Sequence, residues 1–190
     1  MARHSPLSPW QRAVLWFAAW LAVAAVPQDV PAQDLALEYA IKATYLHKFA
    51  PFVEWPSAQA EFPGGAFVLC NIGSDPVGGL LGRAVSGEQV DNHPIVIRRF
   101  AAVTGNPGCS VMYVTGPASQ VASDLSAVRG MPVLTVTDGA TDPAATGIIN
   151  FIIVDHRVRF DIDNGTATAD GLTISSKLLS LAVHVTGSNR

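Results

Sequence analysis

The sequence predicts a single α/β domain, a mixed β-sheet flanked by helices, following an N-terminal signal peptide. Three observations predict it. A basic and then apolar N-terminus differs in kind from the rest of the chain, strand-like and helix-like segments alternate through the middle, and two strand-like segments near the C-terminus are separated by only two residues.

Arg3, His4 and Arg12 open the chain, and Ala13 to Val26 is an uninterrupted apolar run of 14 residues followed by the polar, proline-broken stretch PQDVPAQ. That is the layout of a secretory signal, and the run falls short of the ~20 apolar residues a spanning helix needs. Val30 and Ala32 place small residues where a signal peptidase reads, so cleavage is expected after Ala32. Residues 1–32 are then the signal and 33–190 the working domain, which acts outside the cytoplasm. Neither cysteine lies near the cut, which excludes a lipoprotein. The remaining 158 residues suit one core. They carry 10 basic and 14 acidic side chains with no extended basic cluster, which argues against nucleic acid as a partner.

Asp34 can cap a helix in which Leu37, Ile41, Tyr45, Phe49 and Phe52 form a buried stripe, with Glu38 and Lys42 paired on the opposite face. Pro51 should end that helix near Ala50, because it cannot donate to the carbonyl of His47. Strands are expected at 66–72, 95–100, 111–115 and 133–137, with helices at 76–85 and 118–128. Ile148 to Val154 and Arg157 to Ile162 are expected to pair as a hairpin across Asp155-His156. In the second hairpin strand Arg157, Arg159, Asp161 and Asp163 share one face, expected to meet solvent. Ser175 should cap a last helix with Leu178, Leu181, Ala182 and Val185 inward.

Enzyme chemistry is hard to find. There is no G-x-S-x-G, and Ser175-Ser176-Lys177 lacks the spacing of S-x-x-K, so these serines read as a helix cap. His47, His93, His156 and His184 are dispersed, without the i,i+4 pair of a helical metal site, and the acidic segments lack the order of a calcium loop. No cofactor or metal is expected. Gly73 to Gly79 joins a strand to a helix but has neither the lysine of a phosphate loop nor the glycine spacing of a dinucleotide fingerprint. Ser74 and Asp75 there are the candidates for a small-ligand site, the competing reading being a plain turn. Cys70 and Cys109, in an exported chain, are readable as a structural disulfide, a reversible redox pair or buried free thiols. Bonding needs their Cα atoms within ~7 Å, whereas parallel strands in simple register would hold them at opposite ends.

Several segments in this order resemble the YfiR-like periplasmic proteins: YLHKFAPFVEWP (Tyr45 to Pro56), LCNIGSDPVGGLL (Leu69 to Leu81), CSVMYVT (Cys109 to Thr115), VLTVTD (Val133 to Asp138), GIINF (Gly147 to Phe151), VRFDID (Val158 to Asp163) and GLTISSKLLSLA (Gly171 to Ala182). The resemblance implies a non-catalytic regulator with a mixed α/β sheet. It would bind the periplasmic part of an inner-membrane diguanylate cyclase, or another sensor such as a histidine kinase, and repress it, lowering cyclic di-GMP and restraining biofilm. Release by an outer-membrane lipoprotein or by the redox state of the cysteines is also implied, and a homodimer is left open. Cys70 and Cys109 match two family cysteines, while the second pair that some members carry around residues 139 to 150 is absent. His47, Pro51 and Asp163 depart from the usual pattern. Phe52 and Trp55, at the end of the first helix, and Arg157, Arg159 and Asp161, on the charged strand face, are the candidates for partner contact.

Overall fold

A computed structural model describes residues 30–56 and 65–187; all of the expected signal except residues 30–32 lies outside them. Helix α1 (Val30–Lys48) gives way to a 3-10 turn at Ala50–Phe52, where Pro51 cannot continue the helical ladder. A two-residue strand β1 (Val53–Glu54) follows and pairs antiparallel with β9 (Thr173–Ile174). The main sheet holds β2 (Phe67–Gly73), β3 (Gln89–Val90), β4 (His93–Phe100), β5 (Val111–Thr115), β6 (Leu134–Asp138), β7 (Ile149–Val154), β8 (Arg157–Asp163) and β10 (Val185–Thr186). Helices α2 (Gly78–Ala84), α3 (Ala118–Ala127), α4 (Asn164–Ala169) and α5 (Ser176–Leu179) complete the order.

The strands lie in the order β10-β8-β7-β6-β5-β2-β4-β3. β4, β2, β5, β6 and β7 run parallel to one another, while β3–β4 and the β7–β8 hairpin pair antiparallel, so the sheet is mixed as expected. The connection β2-α2-β4 moves one way across the sheet and β5-α3-β6 moves the other. Right-handed crossovers in opposite directions place their helices on opposite faces. Leu81 of α2 accordingly packs with Ala43 and Leu46 of α1 over Phe67, Leu69 and Tyr113, whereas Val121 and Leu125 of α3 pack over Val68, Ile72 and Met112. Strands buried on both faces read as continuous apolar runs, as VMYVT does in β5.

Two expectations about helices are corrected. On α1 the buried side chains are Lys42, Ala43, Leu46 and His47, followed by Phe49 just past its end, while Leu37 is 61% exposed and Ile41 37%. The helix is turned so that Lys42, expected outside, lies inside. At the C-terminus α5 is only four residues long, Leu181 is exposed, and Val185 belongs to β10, where it pairs with Ile162. Ser175 does cap α5, its Oγ accepting from Leu178 N. The side chains of Asp161 and Asp163 are half-buried rather than solvated, because the segment ending in β10 packs alongside β8; Arg157 and Arg159 remain exposed.

Cys70 and Cys109 are bonded, with a Cα separation of 5.8 Å. Their strands are indeed parallel neighbours. The geometry closes because β5 begins late, with Val111 opposite Leu69, so Cys109 just ahead of β5 lies beside the middle of β2. Both cysteines are buried, in one apolar cluster with Val103 of the loop between β4 and β5. That loop is also held by Asp124 of α3, whose Oδ1 accepts from Val103 N at 2.8 Å. Replacing both cysteines by alanine is expected to lower unfolding free energy by roughly 2–4 kcal/mol and to raise the urea m-value, because the unfolded chain loses its cross-link and exposes more surface, both read from equilibrium denaturation.

Candidate functional site

Asp138 ends β6, and Tyr113 lies on the adjacent β5 on the face that α1 covers. Lys42 Nζ reaches Asp138 Oδ1 at 2.6 Å and Oδ2 at 2.7 Å and also donates to Glu38 one turn back on α1. The Tyr113 hydroxyl donates to Asp138 Oδ2 at 3.1 Å. The Lys42 side chain is 3% exposed. Its burial alone would lower its pKa, but the hydrogen bonds it donates to Asp138 and Glu38, reinforced by their charges, outweigh that and hold it above the ordinary lysine value. Burial first, then the Asp138 charge, keeps the Tyr113 phenol protonated. Tyr113 is thus a donor here and not a base.

Beyond Asp138 opens a cavity of about 330 Å³ at the carboxyl ends of β2, β5 and β6, with Ser74, Thr115, Asp138 and Asp142 among its lining residues. Ser74 Oγ donates to Thr115 Oγ1 at 3.0 Å, and Thr115 Oγ1 donates to the Ser74 carbonyl at 2.5 Å. The two strand ends meet so closely that a Cβ on Gly73, which has φ +82°, would lie 1.9 Å from the Thr115 carbonyl oxygen. Asp75 does not line the cavity. Its carboxylate accepts from Asn71 Nδ2, Gly78 N and Arg99 Nε, capping the entry to α2.

The second feature is a groove of about 560 Å³ between α1 and the β7–β8 hairpin. Leu37 and Ile41 form one wall, and Ile153, Arg157 and Arg159 the other. Ile153 is 49% exposed on the groove side of the hairpin. Asp161 lies elsewhere on the strand, accepting from both the backbone N and Nδ1 of His184. Phe52 and Trp55 are half-buried against the core: Trp55 packs edge-on to Phe67 at 5.7 Å between centroids, and Lys177 sits over the Phe52 ring. The five partner candidates therefore do not form one patch; Arg157 and Arg159 border the groove, with Leu37 and Ile41 opposite them. Sequence reasoning assigned those two α1 residues to the core. Among the described residues, no three histidine, cysteine or acidic side chains come together as a metal set.

Residues 39–183 match the profile of the YfiR/HmsC-like family. The chain belongs to that family. The match spans every element from within α1 to the segment before β10 and takes in both cysteines and the Lys42–Asp138 pair. The family comprises periplasmic, non-catalytic regulators of cyclic di-GMP signalling that act through a membrane partner. A comparison with curated proteins found no match. No helix among the described residues is long and apolar enough to cross a membrane.

His47 shares the buried face of α1 with Lys42 but has no such compensation. Its Nε2 stands 3.8 Å from Glu88 Oε2, beyond hydrogen-bond reach. Desolvation, and next the Lys48 charge, lower its pKa against weaker opposition from Glu88 and the Ala43 carbonyl.

Two outcomes follow for stability. Lys42→Met leaves the Asp138 carboxylate without its cation and is expected to cost about 3–5 kcal/mol in urea unfolding, with Lys42→Met/Asp138→Leu recovering much of it. For His47 the folded pKa lies below the unfolded value of about 6.5, so the unfolded chain takes up the proton first. Stability is therefore full above that pH and declines as pH falls from about 6.5 through the folded pKa. His47→Leu should flatten this part of the pH dependence, read from unfolding midpoints at closely spaced pH values.

Proposed function

We propose that this chain is exported to the periplasm, with residues 1–32 as its signal, and there binds the periplasmic part of an inner-membrane diguanylate cyclase and represses it, lowering cyclic di-GMP. The observation that carries the reading is the apolar groove of α1 and the hairpin, in a member of a family of periplasmic regulators. A helix that buries a lysine and exposes Leu35, Leu37 and Ile41 inverts the usual arrangement, and contiguous exposed apolar surface with a polar rim is the mark of a protein interface. Arg157 and Arg159 on the rim favour an acidic counterpart on the client, supplying orientation and on-rate while the apolar centre supplies affinity.

Deleting the gene should raise cyclic di-GMP and biofilm, and the intact exported chain should retain the cyclase from detergent-solubilised membranes. Ile41→Glu with Arg157→Glu is expected to weaken that binding by at least about 30-fold, the loss of one interface hot spot, while the unfolding midpoint stays nearly unchanged. Unaltered cyclic di-GMP on deletion would sink the cyclase assignment. Retention of a histidine kinase in place of the cyclase would redirect it to that sensor class. Undiminished binding by the double variant would move the interface elsewhere on the surface.

A further inference from the structure

We propose that the cavity at the carboxyl ends of β2, β5 and β6 is a binding site for a compact neutral polyol of monosaccharide size. This goes beyond the regulatory reading and does not rest on it. The cavity lies where β2 connects towards one edge of the sheet and β5 towards the other, the switch point at which open parallel sheets leave a crevice beyond their strand ends. At about 330 Å³ it is within the size range of small-molecule sites.

The lining chemistry selects the occupant. Ser74 and Thr115 have each committed their hydroxyl proton, Ser74 to Thr115 and Thr115 to the Ser74 carbonyl, so both present lone pairs. Asp138 and Asp142 add carboxylate acceptors, and no lysine or arginine is among the lining residues. A wall of acceptors calls for a ligand rich in donors. An anion would meet the Asp142 carboxylate with no lysine or arginine in the lining to offset it. Asp138 is already neutralised by Lys42, so it is a fixed hydrogen-bond acceptor and offers little net attraction for a further cation. Hydroxyl groups meet these demands without bringing a charge into a partly enclosed site.

The opposite wall fits the same class. Helix α3 begins there: Gln120 N and Val121 N are taken by the Pro117 carbonyl, and the amide of Ala118, ahead of the first helical bond, is a donor for a ligand oxygen. Val114, Val121 and Ala145 provide apolar surface for the C–H face of a ring. Asp138 is held from behind by two Lys42 contacts and by Tyr113, so its orientation is set before any ligand arrives.

The test is a titration of the isotopically labelled exported chain, followed by amide chemical shifts, with D-glucose, D-ribose and myo-inositol in turn. Putrescine and succinate are the charged controls. At least one polyol is expected to shift Thr115, Gly116 and Gly139 saturably with a Kd at or below about 1 mM. Asp142→Asn, which keeps an oxygen for the Ala144 amide, and Ala118→Leu, which fills the mouth from an exposed helix position, should each weaken it at least about tenfold while the unfolding midpoint holds. The proposal is overturned if these amides stay unmoved by all three polyols to about 20 mM, more than ten times that Kd. It is equally overturned if putrescine or succinate binds as tightly, or if Ala118→Leu binds like the parent.

Discussion

The contact between Lys42 and Asp138 governs how this molecule is put together. A lysine whose side chain is 3% exposed can stay charged only if its partners are fixed, and here Asp138, Glu38 and the Tyr113 hydroxyl form one connected set. Asp138 ends a central strand and Lys42 lies midway along α1, so the pair fixes both the position of the helix on the sheet and its rotation. Other features follow from that rotation. Ala43, Leu46 and Phe49 go into the core, His47 is carried in with them, and Leu37 and Ile41 are left facing outward.

The central layer of the fold was legible in the sequence because its signals are local. VMYVT and LTVTD are short apolar runs bounded by turn residues, and the two-residue gap at Asp155-His156 called for a hairpin, whose turn residues both adopt positive φ. What was not legible depends on partners distant in sequence. The periodicity of α1 fits two overlapping stripes, and only Asp138, 96 residues away, decides between them. An i,i+4 Glu38–Lys42 pair looks like a solvated surface pair until its third member is known. Similarly β1, β3, β9 and β10 are two-residue strands that exist because a neighbour is present, and no propensity marks them in advance.

The site was legible in part. Ser74 was singled out because it follows a strand, and it does line a cavity, but the other walls come from β5, β6 and the loop after β6, whose meeting depends on strand order. The cysteine pair shows the same dependence. Parallel neighbouring strands in simple register would hold the two residues at opposite ends; a late start to β5 brings them together in mid-sheet. Register, which no local pattern encodes, settled the question. The bridge then ties the loop between β4 and β5 to a central strand under a buried layer.

Glu38 is part of the wall of the groove, Asp138 is part of the wall of the cavity, and Lys42 is bonded to both carboxylates. Two openings of the surface thus share one ammonium group. By thermodynamic reciprocity, an occupant on either side that favours one division of the Lys42 hydrogen bonds alters affinity on the other side by the same factor that it experiences in return. Communication of that kind needs no hinge and no movement of the sheet, only a change in how the three N–H donors of one buried ammonium are shared between two carboxylates.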